Sequence, residues 1–265
     1  MIAAVVQMTS TDDVDANLER AARGIARAAA AGADLVALPE NFPFMREEGA
    51  GPNPAAQPLD GPVVAFLRER AREHGIVLAG GTFPEAIPGD DRVYNTSVVV
   101  NPDGEVAAVY RKIHLFDVDL PGASLQESKG VVAGEDLALA DTPVGRLGLS
   151  VCYDLRFPEL YRELTRRGAT ILLVPSAFTV PTGSDHWQVL LRARAIENQA
   201  FVLASAQYGR HSERRHSYGR SLIVDPWGSV LASVPDGGEV ALAELDAERQ
   251  QSVRGRLPAL RHRRL

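Results

Sequence analysis

The chain has 265 residues, 45% of them apolar, a formal net charge of −6 and one cysteine. That is enough apolar sequence for one large domain or two merged halves, while the acidic balance argues against a nucleic-acid partner. No intrachain disulfide is possible, and no apolar run is long enough to span a bilayer.

Met1–Gln7 lacks a basic leader and reads as an opening strand, so the cytoplasm is the expected compartment. Asp12–Ala31 reads as a helix: acidic caps, many alanines, and Gly32 as its stop. Asp34–Leu38 follows as a buried strand closed by Pro39. Pro62–His74 is a second helix, stopped by Gly75, and Ile76–Ala79 a second strand. Tyr94–Val100 and Glu105–Tyr110 form a hairpin about the turn Asn101–Gly104. Arg146–Val151 and Ile171–Val174 are strands; Phe157–Arg167 and Trp187–Gln199 are helices. The basic run Arg256, Arg261, His262, Arg263 and Arg264 reads as a solvated or subunit-contacting tail.

Two stretches echo one another. Ala31–Glu40 matches Arg167–Ser176 in pattern, and Tyr94–Gly104 matches Tyr218–Gly228, in the same order. Two halves of one architecture are implied, each a sheet with outer helices, packed as a four-layer α-β-β-α sandwich with pseudo-two-fold symmetry.

Cys152 stands where an apolar strand gives way to a helix. It reads either as a small buried hydrophobe or as a nucleophile presented on a strand-to-helix turn beside backbone N–H groups. Glu40 ends its strand at the rim where α/β sites form, placed to act as a general base or simply to face solvent. Lys112, flanked by Tyr110, Ile113 and Phe116, either points inward to hold an oxyanion or snorkels to the surface. Glu127 sits among small polar residues, where solvent exposure is the default. None of the six histidines lies in an obvious orienting motif, although His186 merits a test, and their spacing predicts no metal site.

Taken together, Leu38–Phe42, Tyr110–His114 and Val151–Glu159 resemble the carbon–nitrogen hydrolase (nitrilase) superfamily, which carries Glu, Lys and Cys in this chain order. The likeness runs from Gln7 to about Asp246, defining a hydrolase domain over 1–246 and a C-terminal extension over 247–265 at a subunit interface. Within the superfamily the chain looks most similar to the Nit-type amidases that hydrolyse deaminated glutathione. His186–Asn198, Gly209–Gly219, Val224–Gly228 and Leu257–Arg264 carry that likeness. Ser184-Asp185 departs from the expected Pro-Ala and bears on specificity.

The resemblance implies an amidase with no cofactor. Glu40 would take the thiol proton, Cys152 would attack the amide carbon and form a thioester, and Lys112 with the Tyr153 N–H would hold the oxyanion. Glu127 would orient Lys112. Arg156 is expected to bind a substrate carboxylate, or else to pair with Glu159 or Asp154; Ser176 and Ala177 complete the expected substrate contacts. Deaminated glutathione would yield 2-oxoglutarate and cysteinylglycine. Rivals are an ω-amidase acting on 2-oxoglutaramate, a nitrilase, an N-carbamoyl amino-acid hydrolase and a non-catalytic binding protein. A homodimer or larger assembly, paired across the helix after the cysteine, is also implied.

Overall fold

The computed structural model describes residues 1–46, 52–120 and 123–264. In chain order the first half holds β1 (Ile2–Val6), α1 (Val14–Ala30), β2 (Leu35–Ala37), α2 (Pro62–His74), β3 (Val77–Ala79), β4 (Phe83–Ala86), β5 (Val93–Val100) and β6 (Val106–Arg111). A small hairpin, β7 (Asp117–Leu120) and β8 (Ala123–Gln126), and the short β9 (Val131–Val132) follow. The second half begins with β10 (Leu139–Thr142), β11 (Gly145–Leu149), α3 (Pro158–Arg166) and β12 (Ile171–Leu173). It continues through a single turn α4 (Val180–Thr182), α5 (Gln188–Asn198), β13 (Phe201–Ala204), β14 (Tyr208–Arg210), β15 (His216–Tyr218), β16 (Leu222–Val224) and β17 (Val230–Ser233). The chain returns to the first sheet with β18 (Val240–Glu244) before α6 (Ala247–Arg256).

Local chemistry accounts for the helix boundaries. Asp13 accepts from the Ala16 N–H and starts α1. Pro62 opens α2, and Gly75, at φ +64°, closes it in the left-handed conformation that glycine takes without cost. The central strands are apolar on both faces because helices cover one side and the other sheet covers the opposite side. Ala3, Val5, Leu35, Ala37 and Val77 pack with Leu149 and Leu173 between the sheets. Their neighbours Ala4, Val6, Val36, Leu38 and Leu78 pack with Ile25 of α1 and Leu67 of α2. Leu164 of α3 and Leu191 of α5 belong to the cluster around the second sheet.

The two sheets repeat one topology. Strands β1, β2 and β3 are parallel, with β5 antiparallel to β3 and β6 antiparallel to β5. Strands β11, β12 and β13 are likewise parallel, with β16 antiparallel to β13 and β17 antiparallel to β16. Antiparallel β18 edges β1 as antiparallel β10 edges β11. The architecture is thus the α-β-β-α sandwich with internal pseudo-symmetry.

The expected elements form, most of them a residue or two shorter, since pairing stops where Pro39 or the Cys152 turn leaves the sheet. The β7–β8 hairpin was not foreseen: Glu127 follows it directly in a 3-10 turn, Glu127–Lys129, rather than in an open polar loop. Helix α6 docks on its own chain, where Gln250 Nε2 donates to the Thr170 and Gln199 carbonyls and Arg254 Nε to that of Gln199. Among the described residues no helix is long and apolar enough to cross a membrane.

Candidate active site

Beyond β11 the chain passes Ser150 and Val151 and enters a 3-10 turn, Cys152–Arg156. Cys152 has φ +48°, a conformation that side-chain-bearing residues seldom adopt and that persists only where the surroundings enforce it. Two hydrogen bonds enforce it here: the Cys152 N–H donates to the Pro175 carbonyl at 2.9 Å, and the Val151 N–H to Asp154 Oδ2 at 2.7 Å. Of the two readings of Cys152, buried hydrophobe or thiol presented on a turn, the burial matches the first: Cys152 is 8% exposed, covered by the rim of the first sheet.

That rim carries Glu40. Beyond β2, Pro39 takes the chain out of the sheet and leaves Glu40 only 3% exposed. Gly81 makes the close approach possible: a Cβ there would stand 2.1 Å from the Pro39 carbonyl oxygen, and its φ is +55°. The Gln207 side chain of the second half donates to the Glu40 carbonyl at 3.0 Å, tying the two rims together.

Lys112 leaves the end of β6 pointing inward, 2% exposed. Its ammonium lies 3.3 Å from Glu40 Oε1 and 3.0 and 2.8 Å from the two Glu127 oxygens. Burial alone would discharge the amine, but the facing Glu127 and Glu40 carboxylates outweigh it and hold the ammonium above its ordinary pKa. Glu127 is also fixed by the Phe116 N–H at 2.7 Å, so it is a packed partner of Lys112 and not a solvent-facing residue.

The thiol contacts the Glu40 carboxylate and the Ala177 backbone N–H. Burial and Glu40 push its pKa well up, against the pull of Lys112 and the Ala177 N–H. A resting thiol beside a carboxylate able to receive its proton is the arrangement that base-assisted nucleophilic attack needs.

Asn95 is the member that sequence reasoning missed. From β5 its Nδ2 donates to Glu40 Oε1 at 2.9 Å and to Glu127 Oε1 at 3.3 Å, joining both carboxylates. The opposite amide orientation would set its oxygen against two anions, so the contact fixes the side chain's sense. The signal lies in Tyr94-Asn95, which opens one echo, although asparagine has no titratable group to mark it as chemistry-bearing.

Around this core stand the expected substrate contacts. The Tyr153 ring meets Phe116 edge-on at 4.9 Å and Phe157 at 5.4 Å. Arg156 lies 5.8 Å from the Tyr153 ring, 5.5 Å from the Phe178 ring and 3.4 Å from His186 Nδ1. Asp154 takes its hydrogen bonds elsewhere, from Tyr110, Val151 and His114, so the internal Arg156–Asp154 pair does not form. Ser176 is fully buried, and its hydroxyl donates to the Val174 carbonyl at 3.3 Å. Its hydroxyl is thus spent on a backbone carbonyl two residues earlier in the chain.

The sequence pattern of the Carbon-nitrogen hydrolase family matches residues 2–255. A deaminated glutathione amidase of Synechocystis sp. is 44% identical over 266 residues, covering 99% of this chain and 97% of the relative. The crystal structure of the Caenorhabditis elegans NitFhit protein superposes with a TM-score of 0.88 at 40% identity. It covers 99% of this chain, which spans 65% of that protein's length. Saccharomyces cerevisiae Nit3, a member of branch 10 of the nitrilase superfamily, superposes with a TM-score of 0.87 at 37% identity, covering 100% of this chain and 97% of Nit3.

Proposed function

This chain belongs to the carbon–nitrogen hydrolase family, and we propose that Cys152 is its nucleophile, with Glu40 as general base and Lys112 as the oxyanion's partner. Its reaction is hydrolysis of a carbon–nitrogen bond other than a peptide bond. The observation that carries the assignment of roles is the contact of the Cys152 thiol with Glu40 beside an ammonium held between two carboxylates.

As Cys152 Sγ attacks the amide carbon, its proton passes to Glu40. The carbonyl oxygen gains negative charge, which Lys112 Nζ and the Tyr153 N–H receive; losing one such donor typically costs about 10²–10³ in turnover. Glu40 returns the proton to the departing amine, and the C–N bond breaks to leave a thioester. Water that gives its proton to Glu40 then attacks the thioester, releasing the acid and restoring the thiol. Glu127 and Glu40 keep the lysine charged, and Asn95, donating to both carboxylates, holds them in register.

The substrate is deaminated glutathione, cleaved to 2-oxoglutarate and cysteinylglycine. Support comes from the 44% identity to the Synechocystis amidase of that name and from Arg156, whose guanidinium faces rings and His186 and is suited to grip a carboxylate. Two copies pair across the face formed by α3 and α5, where Val189, Ile196 and the neighbouring Trp227 are exposed, with the tail beyond α6 at the interface; sedimentation at micromolar concentration checks this. A thiol that must stay reduced fits the cytoplasm, which cell fractionation tests.

The decisive experiment is acid-quenched mass spectrometry during turnover of deaminated glutathione. A 2-oxoglutaryl adduct on the peptide containing Cys152 is expected. Turnover of 2-oxoglutaramate but not of deaminated glutathione would move the assignment to the ω-amidases. No turnover of either, of nitriles or of N-carbamoyl amino acids would favour a binding protein.

A further inference from the structure

Asp154 lies two residues beyond Cys152, is fully buried, and has no role in the chemistry above. Its two oxygens accept four hydrogen bonds. Oδ2 receives the Tyr110 hydroxyl at 2.7 Å and the Val151 N–H at 2.7 Å. Oδ1 receives the His114 N–H at 3.1 Å and lies 2.7 Å from His114 Nδ1, which must carry hydrogen because a carboxylate only accepts. Every donor brackets a reacting group: Val151 immediately precedes Cys152, while Tyr110 and His114 stand two residues on either side of Lys112.

We propose that Asp154 and His114 form a positioning pair that clamps the strained Cys152 turn onto the segment bearing Lys112. This rests on the reading of Cys152 as nucleophile. The two segments come from different halves of the chain, and the clamp joins them where sulfur and ammonium must share one carbonyl group. His114 is itself immobilised: its ring stacks on Phe157 at 3.7 Å with the planes 6° apart. Tyr110 is buried, and burial together with Asp154 raises its pKa well above the ordinary value, so its hydroxyl keeps the proton it donates. Cys152 holds its positive φ only while its neighbours over-determine it, and a misplacement near 1 Å at a reacting atom costs on the order of 10²-fold in rate.

Removing Asp154 risks the fold, so the test uses His114. His114→Ala removes the ring donor, whereas in His114→Asn the amide nitrogen sits close to where Nδ1 was. Three quantities are read on each full-length variant: kcat and KM for deaminated glutathione, the pH profile of Cys152 alkylation by iodoacetamide, and the melting temperature. The clamp predicts that His114→Ala lowers kcat by about 10-fold or more with KM nearly unchanged and displaces the alkylation profile, and that His114→Asn recovers most of both. Equal kcat in the Ala and Asn variants, or losses that follow melting temperature with the alkylation profile unmoved, would overturn it. A wild-type protein inert toward every amide would instead count against Cys152 as nucleophile.

Discussion

Beyond β2 and its proline stands Glu40; beyond β12 and its proline stands Ser176. The comparison extends to the neighbouring strands. Val5 pairs with Ala37 as Leu149 pairs with Leu173, so the residue three positions on is Met8 in the first sheet and Cys152 in the second. Met8 is a packed core residue, and Cys152 sits on a left-handed turn against Glu40. Across this pseudo-two-fold the first half supplies the charges, Glu40, Asn95, Lys112 and Glu127, and the second supplies sulfur and backbone N–H groups. The repeated frame brings two strand-end rims face to face, and the proposed chemistry rests on the difference in what the two rims carry.

Substitution at paired positions tests that division. Cys152→Ala should abolish turnover with a melting temperature near wild type. Met8→Ala should leave kcat within a fewfold and destabilise the fold by about 2–5 kcal/mol, the usual cost of truncating a buried methionine. Comparable kcat losses in the two would erase the distinction. Next in size, Glu40→Gln cannot receive the thiol proton and should lose roughly 10²–10⁴ in kcat. Ser176→Ala, which removes only a hydroxyl bonded to its own chain, should stay within a fewfold in the same steady-state assay.

Much of this was legible in the sequence because it was written in local terms. Apolar runs closed by Pro39 or Gly75 marked strand and helix ends, and the Asn101–Gly104 and Asp225–Gly228 turns repeated recognisably. Glu40, Lys112 and Cys152 stood out as polar residues against apolar surroundings. The relations between segments were hidden. Glu127 looked solvent-facing because its partner Lys112 lies fifteen residues away by way of an unforeseen hairpin. Asn95 meets Glu40 and Glu127 across segments, and Asp154 meets Tyr110 and His114 in the same way besides its local bond to Val151; no local pattern records the cross-segment contacts. The partner of His114 lies forty residues away, beyond the reach of any local pattern.

Asn95 tests whether the first half works as a charged unit. Asn95→Ala removes one donor from each of two carboxylates; a hydrogen bond to a charged group is worth about 1.5–3 kcal/mol, so kcat should fall by about 10–100-fold. An effect on KM alone would make Asn95 a substrate contact instead. Arg156, from the second half, should show the reverse split. Arg156→Ala should raise KM for deaminated glutathione by about tenfold with kcat little changed, and Arg156→Lys should recover only part, lacking the planar fork.

The smallest effect concerns how the halves are pinned at the rim. His211, on the β14–β15 hairpin of the second half, lies 2.8 Å through Nδ1 from the Ser10 carbonyl of the first and is buried. Burial, resisted by the Ser10 contact and reinforced by Arg215, lowers its pKa to about 4. An unfolded histidine protonates near 6.5, so between pH 6.5 and 4 the unfolded chain binds the extra proton and the native chain does not. Stability from this group is therefore full above about pH 6.5 and declines as the pH falls, by at most about 1.4 kcal/mol per unit. His211→Asn keeps an amide donor near Ser10 but does not titrate. Urea unfolding at pH 7, 6 and 5 should give a shallower decline for the variant than for wild type. Parallel declines would mean that the hairpin tolerates a charged imidazole and that the neutral ring is not what pins it.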